Sequence, residues 1–60
     1  MKKIIILDFS TAEVHVFPYD VNVWENAEDF FIGLAETTGH YFTESNCQWM
    51  IVDELNIQIH

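Results

Sequence analysis

The chain opens with two apolar segments rich in β-branched residues, residues 2–9 and 13–19, which are separated by a short polar stretch at residues 10–12. Apolar runs of this length bounded by turn residues are typical of strands, so the pattern predicts an antiparallel hairpin. Pro18 has no backbone N–H to donate to a neighbouring strand. We therefore expect the second strand to lie at an edge of the sheet or to end at this residue.

The first predicted strand is apolar on both of its faces. Its side chains alternate between two sets, with Ile5, Leu7 and Phe9 in one and Ile4 and Ile6 in the other. We assign the first set to the core, which leaves Ile4 and Ile6 on the opposite face with nothing to bury them. A run that is apolar throughout is typical of a strand covered on both sides, so we expect a second cover over that face.

A single amphipathic helix is predicted in the middle of the chain. Asn26 is a favourable N-cap, and Gly39 suits the left-handed position beyond a helix C-terminus, so the helix should run from Ala27 to about Thr38. Its apolar residues follow the spacing of one buried stripe: Ala27, Phe30, Phe31, Leu34 and Ala35. We expect this stripe to cover one face of the sheet.

Two further strand-like segments follow a polar loop predicted at residues 40–46. Residues 47–52 are rich in β-formers, and residues 55–60 alternate between apolar and polar side chains. A turn at residues 53–54 would join them as a hairpin and bring Ile57 beneath the helix; the competing interpretation is one long bent strand. The prediction is a two-layer α+β fold, one helix packed on a small, mainly antiparallel sheet, in the order ββαββ, with ββαβ as the alternative.

The length of the chain limits it to a single small domain, residues 1–60. Folding at this size removes only about 60% of the unfolded surface from water, so such domains usually need a disulfide, a metal or a partner chain. Cys47 is the only cysteine and cannot form an intramolecular disulfide. We therefore expect a homo-oligomer, in the simplest case a homodimer.

Charge excludes several classes of partner. The formal net charge is −8, from ten acidic residues against two cationic ones, Lys2 and Lys3. Such a surface repels phosphate, so we expect no direct binding to nucleic acid or anionic membranes, and no apolar stretch reaches the roughly 20 residues of a membrane span. A basic protein is the partner that this charge favours. The apolar run after the lysines is too short for a signal peptide, so a cytoplasmic location is expected.

Residues that could carry chemistry are few and poorly spaced. The soft metal ligands are His15, His40, His60 and Cys47, and no two of them stand at the short spacing of zinc-binding pairs. Two glycines cannot build a phosphate-binding loop, and no serine or cysteine lies in a nucleophile motif. We therefore predict that the protein is not an enzyme and holds no metal and no cofactor.

Two functional hypotheses remain. The first is a small acidic protein–protein interaction module that self-associates, with Ile4, Ile6 and Trp24 as interface candidates; the isoleucines represent the surplus apolar face, and Trp24 lies in a connector. The second is an acidic inhibitor or nucleic-acid mimic that occupies a basic groove on an enzyme. A mimic needs its carboxylates clustered on one exposed surface, whereas a module needs an apolar one.

Overall fold

The structure, a computed structural model, describes residues 1–39, 41–43 and 45–60. Three strands and one helix lie in these ranges: β1 (Lys2–Asp8), β2 (Glu13–Tyr19), α1 (Ala27–Thr38) and β3 (Cys47–Val52). The helix packs on one face of a three-stranded antiparallel sheet, so the predicted α+β class is confirmed.

The central strand of the sheet is β1, which pairs antiparallel with both neighbours in the order β2-β1-β3. Its position accounts for its unbroken apolar run, because a central strand is flanked by side chains of two neighbours on each face. Ile6, for example, lies opposite His15 on β2 and Trp49 on β3. The N-terminal hairpin is confirmed, and β2 is an edge strand, as Pro18 predicted.

The predicted order ββαββ is wrong, and the observed order is the alternative, ββαβ. Residues 55–60 form no strand with any residue that the structure describes. Asp53 does not start a hairpin turn, because it stays alongside β1, where its Oδ1 lies 3.3 Å from the Nζ of Lys2. The chain bends at residues 53–54 and leaves the sheet.

The β1–β2 turn is held by Asp8 and contains one strained residue. The backbone N–H and the hydroxyl of Ser10 both donate to Oδ1 of Asp8, at 3.0 and 2.7 Å. Ala12 has a φ of 57°, in the left-handed region where a Cβ is unfavourable. This turn sets the register in which Asp8 lies opposite Glu13.

The ends of α1 lie where the sequence predicted them, because both caps are local. Oδ1 of Asn26 accepts from the backbone N–H of Asp29 at 2.9 Å. Gly39 has a φ of 76° and donates its N–H to the carbonyl of Ala35 at 3.0 Å. A residue with a side chain would be strained at that φ, which explains the glycine.

The predicted facing of β1 is wrong. Ile4 and Ile6 are fully buried, at 0% exposure, in a core formed with Tyr19, Phe30 and Leu34 beneath the helix. Ile5 and Leu7, which the sequence assigned to that core, lie on the opposite face. The error came from the strand ends: Lys2 and Asp8 share the helix-facing side, and both are half-buried at the ends of the strand. With these two polar residues at its ends, the face of Ile4 and Ile6 resembles a solvent-exposed face in the sequence.

Two other residues predicted to be internal lie outside the core. Phe9 is exposed because it lies in the turn after Asp8 and, by the alternation along β1, belongs with Ile5 and Leu7 rather than with the helix-facing residues. Ile57 is exposed because residues 55–60 do not pair with β3. The space beneath the helix is filled instead by aromatic rings from the other elements, chiefly Phe17 on β2 and Phe30 on α1, whose centroids are 6.0 Å apart.

Candidate functional site

One face of the sheet points away from the helix, and we call it the outer face. The alternation of side chains along each strand and the register between strands place nine residues on it. They are Lys3, Ile5, Leu7, Val14, Val16, Pro18, Gln48, Met50 and Val52. All but Lys3 and Gln48 are apolar, so the strands supply a continuous apolar surface.

Ile5 lies at the centre of the outer face. Its register partners are Val16 on β2 and Met50 on β3, and its own side chain is buried. Leu7 and Val16 leave 42% and 44% of their surface exposed, and Val14 and Met50 are exposed as well. The outer face is therefore a shallow apolar surface open to solvent.

The outer face contains no carboxylate, although the chain has a net charge of −8. Lys3 is its only charged residue. The carboxylates among the described residues lie on the helix-facing ends of the hairpin, on the connector, on the helix and at the bend after β3: Asp8, Glu13, Asp20, Glu25, Glu28, Asp29, Glu36, Asp53 and Glu54. Apolar and acidic surface are thus separated in the fold.

A second apolar concavity lies between α1 and β3, and we call it the groove. Its volume is about 650 Å³, and it is lined by residues of the helix, of the following loop and of β3: Glu28, Phe31, Ile32, Ala35, Glu36, Tyr41, Phe42, Thr43, Cys47 and Trp49. The rings of Phe31 and Trp49 meet edge to face across it, with centroids 5.8 Å apart. The groove offers aromatic and aliphatic surface with two carboxylates among its lining residues.

Three side chains at the turn end of the hairpin could together hold a divalent cation. The ligand atoms of Asp8, Glu13 and His15 lie within 4.8 Å of one another, and Nε2 of His15 is 4.0 Å from Oε1 of Glu13. The Ser10 hydroxyl, which donates to Asp8, lowers the pKa of the Asp8 carboxyl. Short spacing of histidine and cysteine along the sequence does not reveal this group, because it is the hairpin register that brings Asp8 opposite Glu13.

None of the three predicted interface residues belongs to the outer face. Ile4 and Ile6 are buried beneath the helix and are not available to a partner in this fold. Trp24 is half-buried: its ring lies edge to face against Phe30, with centroids 5.6 Å apart, and over Gly33. A Cβ at Gly33 would lie 2.6 Å from the Trp24 ring, so the glycine makes room for it.

Of the potential metal ligands named from sequence, only His15 belongs to a group of potential ligands among the described residues. Cys47 is buried and its Sγ donates to the carbonyl of Thr43 at 3.0 Å, which confirms it as a small buried residue. His15 packs against the rings of Phe17 and Phe42. His60 is exposed at the chain end, and His40 lies outside the described residues.

The outer-face residues that the sequence analysis missed had a visible signal. Val14 and Val16 alternate with His15, Phe17 and Tyr19 along β2. When one face of an edge strand has small β-branched residues and its other face has large aromatic ones, the aromatic face is the one that fills the core. The pairing with β1 then fixes the facing of Ile5 and Leu7 as well.

Among the described residues, no helix is long and apolar enough to cross a membrane. No protein-family model matches the chain, and neither the curated proteins nor the solved structures contain a match to it.

Proposed function

We propose that the protein is a small interaction module that self-associates through the outer face. The observation that carries this proposal is the combination of exposure and charge: Leu7, Val14, Val16 and Met50 are exposed on a face that has no carboxylate. Contiguous exposed apolar surface of this kind marks interaction sites on folded proteins.

Charge favours a second copy as the partner on this face. Two outer faces bring together apolar side chains and one lysine each, while the carboxylates on the helix and its connector stay on the far side of each copy. A face of this kind can meet itself across a two-fold axis. No carboxylate then lies within the contact, in keeping with the depletion of charged residues at the centre of known interfaces.

The size of the outer face predicts a weak contact. Three strands about 4.8 Å apart, with six residues of about 3.3 Å each, cover roughly 300 Å². Stable interfaces bury about 800 Å² on each partner, so the outer face alone falls in the transient class. We therefore expect association that depends on concentration.

Sedimentation equilibrium from about 10 μM to about 1 mM tests the proposal. The wild-type mass should rise with concentration from 7.1 kDa towards twice that value. Val16→Lys places a cation in the outer face and should associate more weakly than the wild type. Val21→Lys makes the same change at an exposed valine in the connector and should associate like the wild type. Equal association of both variants would contradict the proposal.

The second hypothesis, an acidic inhibitor or nucleic-acid mimic, would use a different surface. Its best location is the helix, where Glu28, Asp29 and Glu36 are exposed on the side of the molecule opposite the outer face. Such an inhibitor would bind a basic protein more weakly when these three carboxylates are replaced by amides, and it would be indifferent to Val16→Lys. The two hypotheses therefore predict opposite sensitivities for the same pair of variants.

A further inference from the structure

Residues 55–60 follow the bend at residues 53–54 and belong to no strand of the sheet. After the bend at residues 53–54, no backbone hydrogen bond joins them to any described residue. Ile57 and Ile59 are 72% and 92% exposed, and with Leu55 they alternate with Asn56 and Gln58. This is the pattern of a strand with one apolar face, in a segment that pairs with nothing the structure describes.

The free edge of β3 is suited to receive such a strand. Among the described residues β3 pairs with β1 alone. On its other edge the N–H of Cys47 donates to the carbonyl of Thr43, and beyond it, at Trp49 and Ile51, no strand lies alongside. Cys47–Val52 contains no proline and no charged residue, which are the usual devices that protect an edge. The opposite edge of the sheet, on β2, contains Pro18.

The groove lies beside this edge. Cys47 and Trp49 belong to β3 and line the groove, and Phe31, Ile32 and Ala35 line it from the helix. In an added strand every second side chain points to the helix side of the sheet. A strand paired with β3 would therefore place alternate side chains over the groove, the arrangement in which backbone bonds give affinity and side-chain pockets give specificity.

We propose that residues 55–59 of a second copy add to the free edge of β3, with Leu55, Ile57 and Ile59 over the groove. Neither residues 55–59 nor β3 carries a formal charge, so the two paired strands themselves bring no carboxylates together. In a symmetric pair, each copy gives its own segment and receives its partner's. The contact rests on the proposed self-association only in that the partner is the same chain, because it uses another surface.

Exchange between copies is favoured over pairing within one chain by the bend. Asp53 continues alongside β1 with its carboxylate near Lys2, and residues 55–60 do not pair with their own β3. A hairpin that does not close within the chain can close between two chains at the same hinge, which is the geometry of domain swapping.

The first test adds the segment in trans to a full-length acceptor. The acceptor is ¹⁵N-labelled protein carrying Ile57→Asn and Ile59→Asn, and the probe is a synthetic peptide of residues 53–60. We expect saturable NMR shifts in the backbone amides of β3 and in the indole N–H of Trp49. A peptide with the same two isoleucine substitutions is the control and should shift none of them. Absence of shifts at about 1 mM wild-type peptide, or shifts confined to β2, would overturn the proposal.

The second test separates exchange between copies from pairing within one chain. Hydrogen exchange of the wild-type amides in β3 and residues 55–59 should slow at least about fivefold between low and high protein concentration, by mass action. Protection that is independent of concentration would mean that the segment pairs with its own β3, and would overturn the proposal.

Val16→Lys distinguishes this inference from the proposed function. In that variant the concentration-dependent protection of β3 should persist if the two contacts are separate, even though the outer face associates more weakly. An arginine-rich peptide that shifts the groove residues, where the peptide of residues 53–60 does not, would identify a basic partner in place of a second copy and would also overturn the exchange.

Discussion

The helix-facing side of the sheet and the outer face are built from the same kind of residue, and they differ in what covers them. On β1, Ile4 and Ile6 are fully buried beneath Phe30 and Leu34, whereas Leu7 one position further along is 42% exposed. The apolar residues of a strand therefore determine how much surface can be buried. The position of the helix determines which face of the strand is buried. The surplus on the other side is available for a partner.

The two sides also differ in charge. The helix side is bordered by exposed carboxylates such as Glu28 and Glu36, and the outer face has none. Net charge keeps acidic proteins apart in solution. Because that charge is absent from the outer face, two copies can approach there with the least repulsion.

The largest loss of stability is expected when the buried aromatic residue of the helix, Phe30, is truncated. Phe30 is buried and its ring packs against those of Phe17, Tyr19 and Trp24, so Phe30→Ala should destabilise the domain by about 4 kcal/mol. Phe31 is half-buried beside the groove, and Phe31→Ala should cost about 2 kcal/mol. Urea denaturation of both variants measures the difference. Equal losses would mean that the helix is rotated about its axis.

Neighbouring residues on β1 provide the sharpest comparison of the two faces. Ile6→Ala should cost about 3 kcal/mol, because it leaves a cavity under the helix. Leu7→Ala should cost only about 1 kcal/mol in the monomer, because part of the side chain is already in water. Urea melts at low protein concentration compare them. A larger loss for Leu7 than for Ile6 would restore the facing first predicted from the sequence.

A smaller effect is expected at the turn that sets the register of the two faces. Ala12 has a left-handed φ, so Ala12→Gly should raise the unfolding free energy by about 0.5 kcal/mol, the relief of strain less the added chain entropy. Ala35→Gly, in the helix, should lower it by about 1 kcal/mol. Thermal melts of both variants make the comparison, and a loss for Ala12→Gly would mean that the turn needs its Cβ.

The dependence on salt and pH is expected to be the smallest effect and tests the charge difference. Added salt should raise the melting temperature by screening repulsion among the carboxylates. Stability should rise slightly from pH 7 towards 5 as some of the repulsion is relieved. The lowered pKa of Asp8 acts in the opposite direction. The ionised Asp8 carboxyl stabilises the folded state fully above its usual pKa of about 3.9, and this stabilisation is lost as the pH falls through its lowered pKa in the folded state.

Asp8→Asn is the control for the loss of stability that Asp8 causes at acid pH. The amide oxygen can still accept from Ser10 but carries no charge, so the variant should lose less stability than the wild type between about pH 4 and pH 2. If the variant and the wild type lost the same stability between about pH 4 and pH 2, Asp8 would not be the group that causes the loss.

Features fixed by local chemistry were predictable from the sequence. Asn26 and Gly39 cap the helix through bonds within a few residues, and Pro18 marked an edge strand. The facing of β1 does not follow from β1 itself, because both of its faces are apolar, and it becomes clear only from the aromatic side of β2 through the pairing of the two strands. The same limit applies to the outer face and to the group of Asp8, Glu13 and His15, because both depend on the register between strands.

The C-terminal segment shows a different limit. Its alternation predicted a fourth strand, which the structure does not contain among the residues it describes, because alternation does not name a partner strand. Sequence therefore predicted an internal hairpin where the structure has an unpaired extension. The proposed exchange would pair residues 55–59 with β3, as in the predicted hairpin, but between two chains instead of within one.

The most direct test of the self-association is an isotope-filtered NMR experiment on a mixture of ¹³C-labelled and unlabelled wild-type protein at about 1 mM. We expect nuclear Overhauser effects between copies from the methyl groups of Leu7, Val14 and Val16, and none from those of Ile4 and Ile6, which lie under the helix. Absence of effects from the outer-face methyls, in a sample whose mass stays at 7.1 kDa, would contradict the claim that the outer face is a contact surface.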